Sequence, residues 1–399
     1  MKLSFAYTAG VLTKQVIATI LAALFIGAIL PAHGATVSAF QVNPNAGAGD
    51  VIVRGKLGGF IFGFEVDPNG TEGLLCEAVQ NSDGTVTAAV ETFDQATGRI
   101  IRILGKTNTQ DDFIAWSVAG SVGLFEHEKV KGLFDIKRTF STINPLAGNQ
   151  VNGNWTPPLE RKQIVNQVKA ALDGSPNVAV YALSVSASLN PVVFSSNISD
   201  NTFGPVIEIT NPNFTVEAPP VMAFDPPRNQ AILGHNKPSP FILPPLIGLV
   251  DLTTGSFEQK TGLGLGVING IAVDSEDAIL CTDTSFDTAV QFYDLTDFSG
   301  VSVLLPGSKP DGSLAAGADI EFDPIHKLFL VAQEFSGTAE SGSSIQVYDL
   351  AGNLVESIDG LNFQGGFNVF PIHITLNPSR RMGFVNGPDL TTAIQSFSY

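Results

Sequence analysis

Asp319 and Glu321 stand two residues apart in the run Ala318-Asp319-Ile320-Glu321-Phe322. In an extended strand that spacing points both side chains the same way. Two carboxylates on a largely apolar strand are costly unless they are paired or bound to a cation. His373 lies four residues ahead of Asn377, as Asp319 lies four ahead of Asp323, and Asn269 precedes Asp274 by five. Such a set can hold a divalent cation, or it can line a water-filled channel with hydrated polar groups. The rest of the inventory is thin. His33, His127, His235 and His326 show no HxH or HExxH spacing, and the chain has no GxSxG, P-loop, CxxC or GxGxxG opening a helix. Asp283 and Asp287 flank a loop and offer at most a weak cation site.

The elements that must carry these residues are short apolar runs separated by turn residues. Residues 270–305 contain four of them, and the pattern returns about 50 residues to either side, as in a repeat protein. Four segments align: Val221 to Pro226, Ile271 to Ser275, Ile320 to Pro324 and Ile374 to Pro378. Each places Asp225, Asp274, Asp323 or Asn377 before Pro or Ser, the preferred opening of a type I turn. Asp251, Asp294 and Asp349, each followed by Leu, end a later strand in the same way. Four strands per repeat, stacked around an axis, make a β-propeller. Asp67 fits the same series, and the spacing extrapolates to seven blades, with six as the alternative. The last repeat is one strand short. The N-terminal β-type runs, Thr36 to Val42 and Val51 to Val53, can supply the missing strand and close the ring. Residues 143–177 break the pattern. Ile164, Val165, Val168 and Leu172 have helical spacing, so a partly helical insertion is expected there.

The apolar strand, Asp-Pro turn and Tyr-Asp-Leu strand end resemble seven-bladed propellers of the YVTN and NHL type and the related lactonase-like propellers, over residues 60–399 and most clearly from 221 onward. Asn269-Gly270-Ile271-Ala272 resembles the Asn-Gly that opens an inner strand in gluconolactonase (SMP-30-like) propellers. That likeness implies a calcium-like divalent ion, held by an Asn, a later Asp and an early Glu, that polarises a lactone carbonyl. The residues implied at the channel mouth of this chain are Asn269, Asp319, Glu321 and His373. Asp319 follows Asn269 by one repeat, but it lacks the following Gly, and Glu65 stands too close to its turn residue Asp67 to be the early Glu.

The first residues read as a secretory signal. Lys2 and Lys14 precede an apolar run from Val16 to Leu30, and Pro31-Ala32-His33-Gly34-Ala35 supplies small residues for cleavage. Residues 1–34 are thus expected to be removed, leaving 35–399 as a secreted or periplasmic domain with no membrane span. Asn69, Asn154, Asn197 and Asn213 head Asn-x-Ser/Thr sites, relevant only in a eukaryotic secretory pathway. Two of the 21 basic residues lie in the signal, leaving 19 against 38 acidic ones. Residues 171–399 hold only 7 basic against 24 acidic. That field repels nucleic acid and anionic lipid and favours cations or basic partners. Cys76 and Cys281 fall in second strands of distant repeats, too far apart to bridge, so both are expected as buried thiols. Two functions stay open: a monomeric module that binds a protein, small-molecule or carbohydrate partner on its ring face, and a metal-dependent lactonase-like hydrolase.

Overall fold

The computed structural model describes residue 43 and residues 45–399, less the connecting segments 108–109, 118–121, 133–134, 145–148, 156–162, 171–177, 186–191, 198–201, 212–220, 236–243, 265–267, 285–288, 305–314, 336–342, 362–371 and 387–391. The expected signal peptide, the run Thr36 to Val42 and Asp287 lie outside the described residues.

The chain opens with β1 (Gly47–Val53) and then lays down antiparallel sheets in succession. The first contains β2 (Phe60–Val66), β3 (Glu72–Gln80), β4 (Val86–Asp94) and β5 (Ile100–Thr107). The second contains β6 (Gln110–Ser117), β7 (Val122–Gly132), β8 (Asp135–Asn144) and β9 (Asn149–Trp155). The third, five-stranded, contains β10 (Gln163–Ala170), β11 (Val178–Val185), β12 (Val192–Asn197), β13 (Thr202–Phe203) and β14 (Ile207–Glu208). Next come β15 (Val221–Asp225), β16 (Gln230–His235), β17 (Leu246–Asp251) and β18 (Phe257–Thr261), then β19 (Ile268–Asp274), β20 (Ile279–Thr284), β21 (Ala289–Asp294) and β22 (Gly300–Leu304). β23 (Ala315–Asp323), β24 (Leu328–Phe335), β25 (Ser343–Asp349) and β26 (Leu354–Leu361) follow. The last sheet holds β27 (Ile374–Asn377), β28 (Met382–Asn386) and β29 (Ile394–Ser398), with β1 returning to pair with β29.

The first strands of successive sheets, β2, β6, β10, β15, β19, β23 and β27, pack against one another in turn, and β27 returns to β2. The chain is therefore an all-β propeller whose own N-terminal strand completes the last sheet. Val53 opposite Ile394 and Gly47 opposite Ser398 set that closing register. Asn43 reinforces it, its side-chain amide donating to the Tyr399 carbonyl oxygen at 2.8 Å.

The core lies between sheets. Phe93 of the first sheet meets Phe384 of the last edge to face at 5.5 Å, among Phe64, Val53 and Ile394. Phe292, Phe329 and Tyr348 join the β19–β22 and β23–β26 sheets in the same way. The β2–β5 and β19–β22 sheets are thus apolar on both faces, which explains their near-continuous hydrophobic runs. Cys76 and Cys281 are buried thiols with no disulfide between them, as their strand positions require.

The repeated acids are turn-formers. β15, β19, β23 and β27 end on Asp225, Asp274, Asp323 and Asn377. Asp323 Oδ1 accepts from the backbone N–H groups of Ile325 and His326 at 2.8 and 2.9 Å. Asp251, Asp294 and Asp349 do the same for the turns after β17, β21 and β25. Asp225 and Asn377 are the exceptions: neither side chain caps the backbone of its turn. Pro226 and Pro227 have no N–H to give and the buried Asp225 Oδ1 has no partner, while Asn377 Oδ1 accepts from the Ser379 hydroxyl at 2.7 Å.

One expectation is overturned. Residues 163–170 form the strand β10, not a helix, and β9 occupies part of the expected insertion. The ladder to β11 is bulged between Val165 and Gln167. The extra residue gives Val165 and Val168, opposite Leu183 and Tyr181, the same ladder parity. A three-residue spacing that mimics a helical turn is thus the mark of a bulged strand.

Candidate functional site

His373, just ahead of β27, stands between two carboxylates from different sheets. Its Nδ1 donates to Asp319 Oδ2 of β23 at 3.1 Å, and its Nε2 donates to Glu65 Oε1 of β2 at 3.2 Å. The surroundings fix both acids. The Ile374 backbone N–H also donates to Asp319 Oδ2, at 2.9 Å. Thr375 Oγ1 donates to Glu65 Oε2 at 2.7 Å and accepts from the Val66 backbone N–H at 3.2 Å. Phe64 meets the imidazole edge-on, with centroids 5.1 Å apart. With both ring nitrogens donating, the ring is an imidazolium. Burial works to lower its pKa, but the hydrogen bonds and charges of Asp319 and Glu65 outweigh it and push the value up to about 10. The triad carries one net negative charge and ties three sheets together.

Asp283 of β20 lies beside it. It is fully buried, and its Oδ1 accepts from the backbone N–H groups of Asn269 and Gly270 at 3.1 and 2.6 Å. Its Oδ2 has no hydrogen-bond partner. Burial raises its pKa to about 7 against the pull of those two N–H groups, and the charge of Asp319 adds to the rise. Gly270 explains the Asn-Gly pair. A Cβ there would come within 2.8 Å of the Ile320 nitrogen and 2.9 Å of the Asp319 carbonyl carbon, so β19 and β23 approach closely only because residue 270 has no side chain.

The structure thus brings together two of the four sequence candidates, Asp319 and His373, by direct hydrogen bonding. Asn269 touches the site through its backbone N–H to Asp283. Glu321 sits two residues beyond Asp319 on β23, opposite Leu330. Glu65 joins the site although its distance from the turn argued against it. It lies two residues before Asp67, as Thr375 lies two before Asn377, and that shared offset is the signal that pairs them. Asp283 was visible only as the flank of a loop. Among the described residues, no group of three His, Cys, Asp or Glu side chains is arranged to hold a metal ion.

No family of known sequences and no curated protein matches the chain. The solved structures do. A chain from the crystal structure of a mitotic checkpoint complex is 12% identical, covers 94% of this chain and 97% of its own length, and superposes with a TM-score of 0.56. In all 1122 solved chains match, so the likeness singles out no activity. Among the described residues no helix is long and apolar enough to cross a membrane. What these similarities identify is the architecture: an all-β propeller built of repeated blades.

Proposed function

We propose that the chain is an exported, seven-bladed β-propeller that acts as an interaction module for a basic segment of a partner protein. The Glu65–His373–Asp319 triad carries the reading. Its histidine gives both ring protons to carboxylates, so it is neither a base nor a nucleophile as it stands, and its charges hold blades in place. The excess acid of the triad, with Asp283 behind it and an acidic second half of the chain, favours a cationic ligand. The structural neighbour comes from a mitotic checkpoint complex. Export rests on the signal-like residues 1–34.

The test is binding of the full mature chain to a fluorescent Lys/Arg-rich peptide and to its acid-for-base counterpart, at about 20 and 500 mM salt. The basic peptide is expected to bind and to weaken strongly with salt. Equal or absent binding of the two peptides refutes the reading. The alternative, a lactonase-like hydrolase, requires Asn269, Asp319, Glu321 and His373 to exchange their present bonds for a calcium-like ion. A melting midpoint raised by calcium, and not in Asp319→Asn, would favour it.

A further inference from the structure

Residues 54–59 carry the chain from β1, the outer strand of the closing sheet, to β2, the inner strand of the first. This connector lies directly on two buried acids. Glu77 of β3 and Glu91 of β4 are 1% and 0% exposed. Glu77 pairs with Ala89 and Glu91 with Leu75, so the two are diagonal neighbours on one face of the sheet. Three backbone N–H groups of the connector point at them. Leu57 donates to Glu77 Oε1 at 2.5 Å, Gly59 to Glu77 Oε2 at 3.1 Å, and Lys56 to Glu91 Oε2 at 2.9 Å. A Cβ at Gly55 would strike the Glu77 carboxyl at 2.2 Å, so the connector could not lie closer.

The fourth oxygen, Glu91 Oε1, is buried and receives no hydrogen bond from any other group's N–H or O–H. The two carboxyls are within hydrogen-bonding reach of each other. Two adjacent carboxylates in a dry site cannot both ionise without cost, and one proton between them removes the repulsion. The donors present are N–H groups, which suit an anion and not a metal ion.

We propose that Glu77 and Glu91 form a carboxyl–carboxylate pair that holds one proton and, through the amides of residues 56, 57 and 59, latches the connector across the seam where the ring closes. Loss of the proton leaves two negative charges beneath the connector and loosens it. Burial, opposed by the Lys56 N–H and supported by the charge of Glu77, raises the pKa of Glu91 to about 7. The loosening therefore builds as pH rises from the ordinary glutamate value of 4.5 and is complete near 7. Of the neighbouring charges, the Lys56 ammonium favours ionisation, and Arg102 of β5 is engaged with Glu72 at 2.7 Å. Glu65 of β2 is bound to His373 and Thr375.

Hydrogen exchange of the full chain, followed by mass spectrometry between pH 4.5 and 8.5 and corrected for intrinsic rates, tests the latch. Protection in peptides covering residues 54–60 should fall by up to about tenfold per pH unit between about pH 4.5 and 7 and level off above 7, as one-proton linkage requires. Peptides from β24 serve as the control. Glu91→Gln places an uncharged N–H donor beside Glu77, and its connector should stay protected at pH 8.5. A fall of the same size in Glu91→Gln, or flat protection in the wild type, overturns the proposal. If Glu91→Gln does not fold, the wild-type infrared spectrum decides. A carboxylic-acid band present at pH 6 and lost as pH rises through about 7 supports the shared proton, and its absence at pH 6 refutes it.

Discussion

Replacing His373 by Gln removes the cation between Glu65 and Asp319 while keeping a side chain that can hydrogen-bond. The imidazole pKa is raised from 6.5 to about 10. At about 1.4 kcal/mol per unit, that shift corresponds to roughly 5 kcal/mol between the charged and neutral forms. The ring is 28% exposed, so solvent screens part of this, and about 2 kcal/mol is a reasonable expectation for the loss. The sign follows from the direction. A folded-state pKa above the unfolded value contributes in full below pH 6.5, and the contribution fades as pH rises through 10. Urea unfolding of wild type and His373→Gln at pH 6 and pH 10.5 measures it. The difference should be about 2 kcal/mol at pH 6 and well under half of that at pH 10.5. Glu91, Asp283, the lysines and the tyrosines titrate in both proteins and cancel in the difference. A gap between the two proteins that is equal at both pH values would show that His373 acts by shape, and the ion-triad argument would fail.

Two further outcomes follow from buried groups. Asp283 has a folded pKa of about 7, above its ordinary 3.8, so its burial penalises folding increasingly as pH rises from about 4 to 7. Asp283→Asn should flatten the wild-type fall in melting midpoint between pH 5 and pH 8, and an unchanged slope would contradict it. Tyr399 donates its hydroxyl to the buried Asp323 Oδ2 at 2.8 Å, across sheets, an oxygen that also accepts from His326 Nδ1 at 2.7 Å. Tyr399→Phe should cost about 1–2 kcal/mol in urea unfolding at pH 7, the usual range for a hydrogen bond to a charged group, and a loss below about 0.3 would refute that role.

Much of this architecture was legible because turn chemistry is local. An Asp that accepts the N–H two residues on needs only its own neighbours, so Asp274 and Asp323 mark the ends of β19 and β23 in the sequence. β10 was not legible, because a single bulge shifts ladder parity and turns a strand's alternation into a helical spacing. The site was half legible. Asp319 and His373 betrayed themselves as polar residues on apolar strands. Their meeting with Glu65 spans 308 residues between His373 and Glu65, and no local pattern records a contact of that kind. Counting offsets from each turn residue does record it: Glu65 and Thr375 share one offset, Asp319 and His373 another.

The polar devices gather at one seam for a physical reason. Most neighbouring sheets are joined by a chain step of about one repeat. The closing junction instead joins residues such as Gly49 and Gln395, a separation of 346. Loop-closure entropy grows only as the logarithm of length, so the longer step costs about 1.7 kcal/mol more than a 50-residue one. A single ladder and one good ion triad suffice to offset that. Here the ladder of β1 with β29, the His373 triad, the Asn377 amide donating to Gln95 Oε1 at 2.7 Å and the amides of residues 56, 57 and 59 all converge on the junction. The titrating pair beneath the connector makes the stability of this seam change with pH. A partner that binds across it would sense that change.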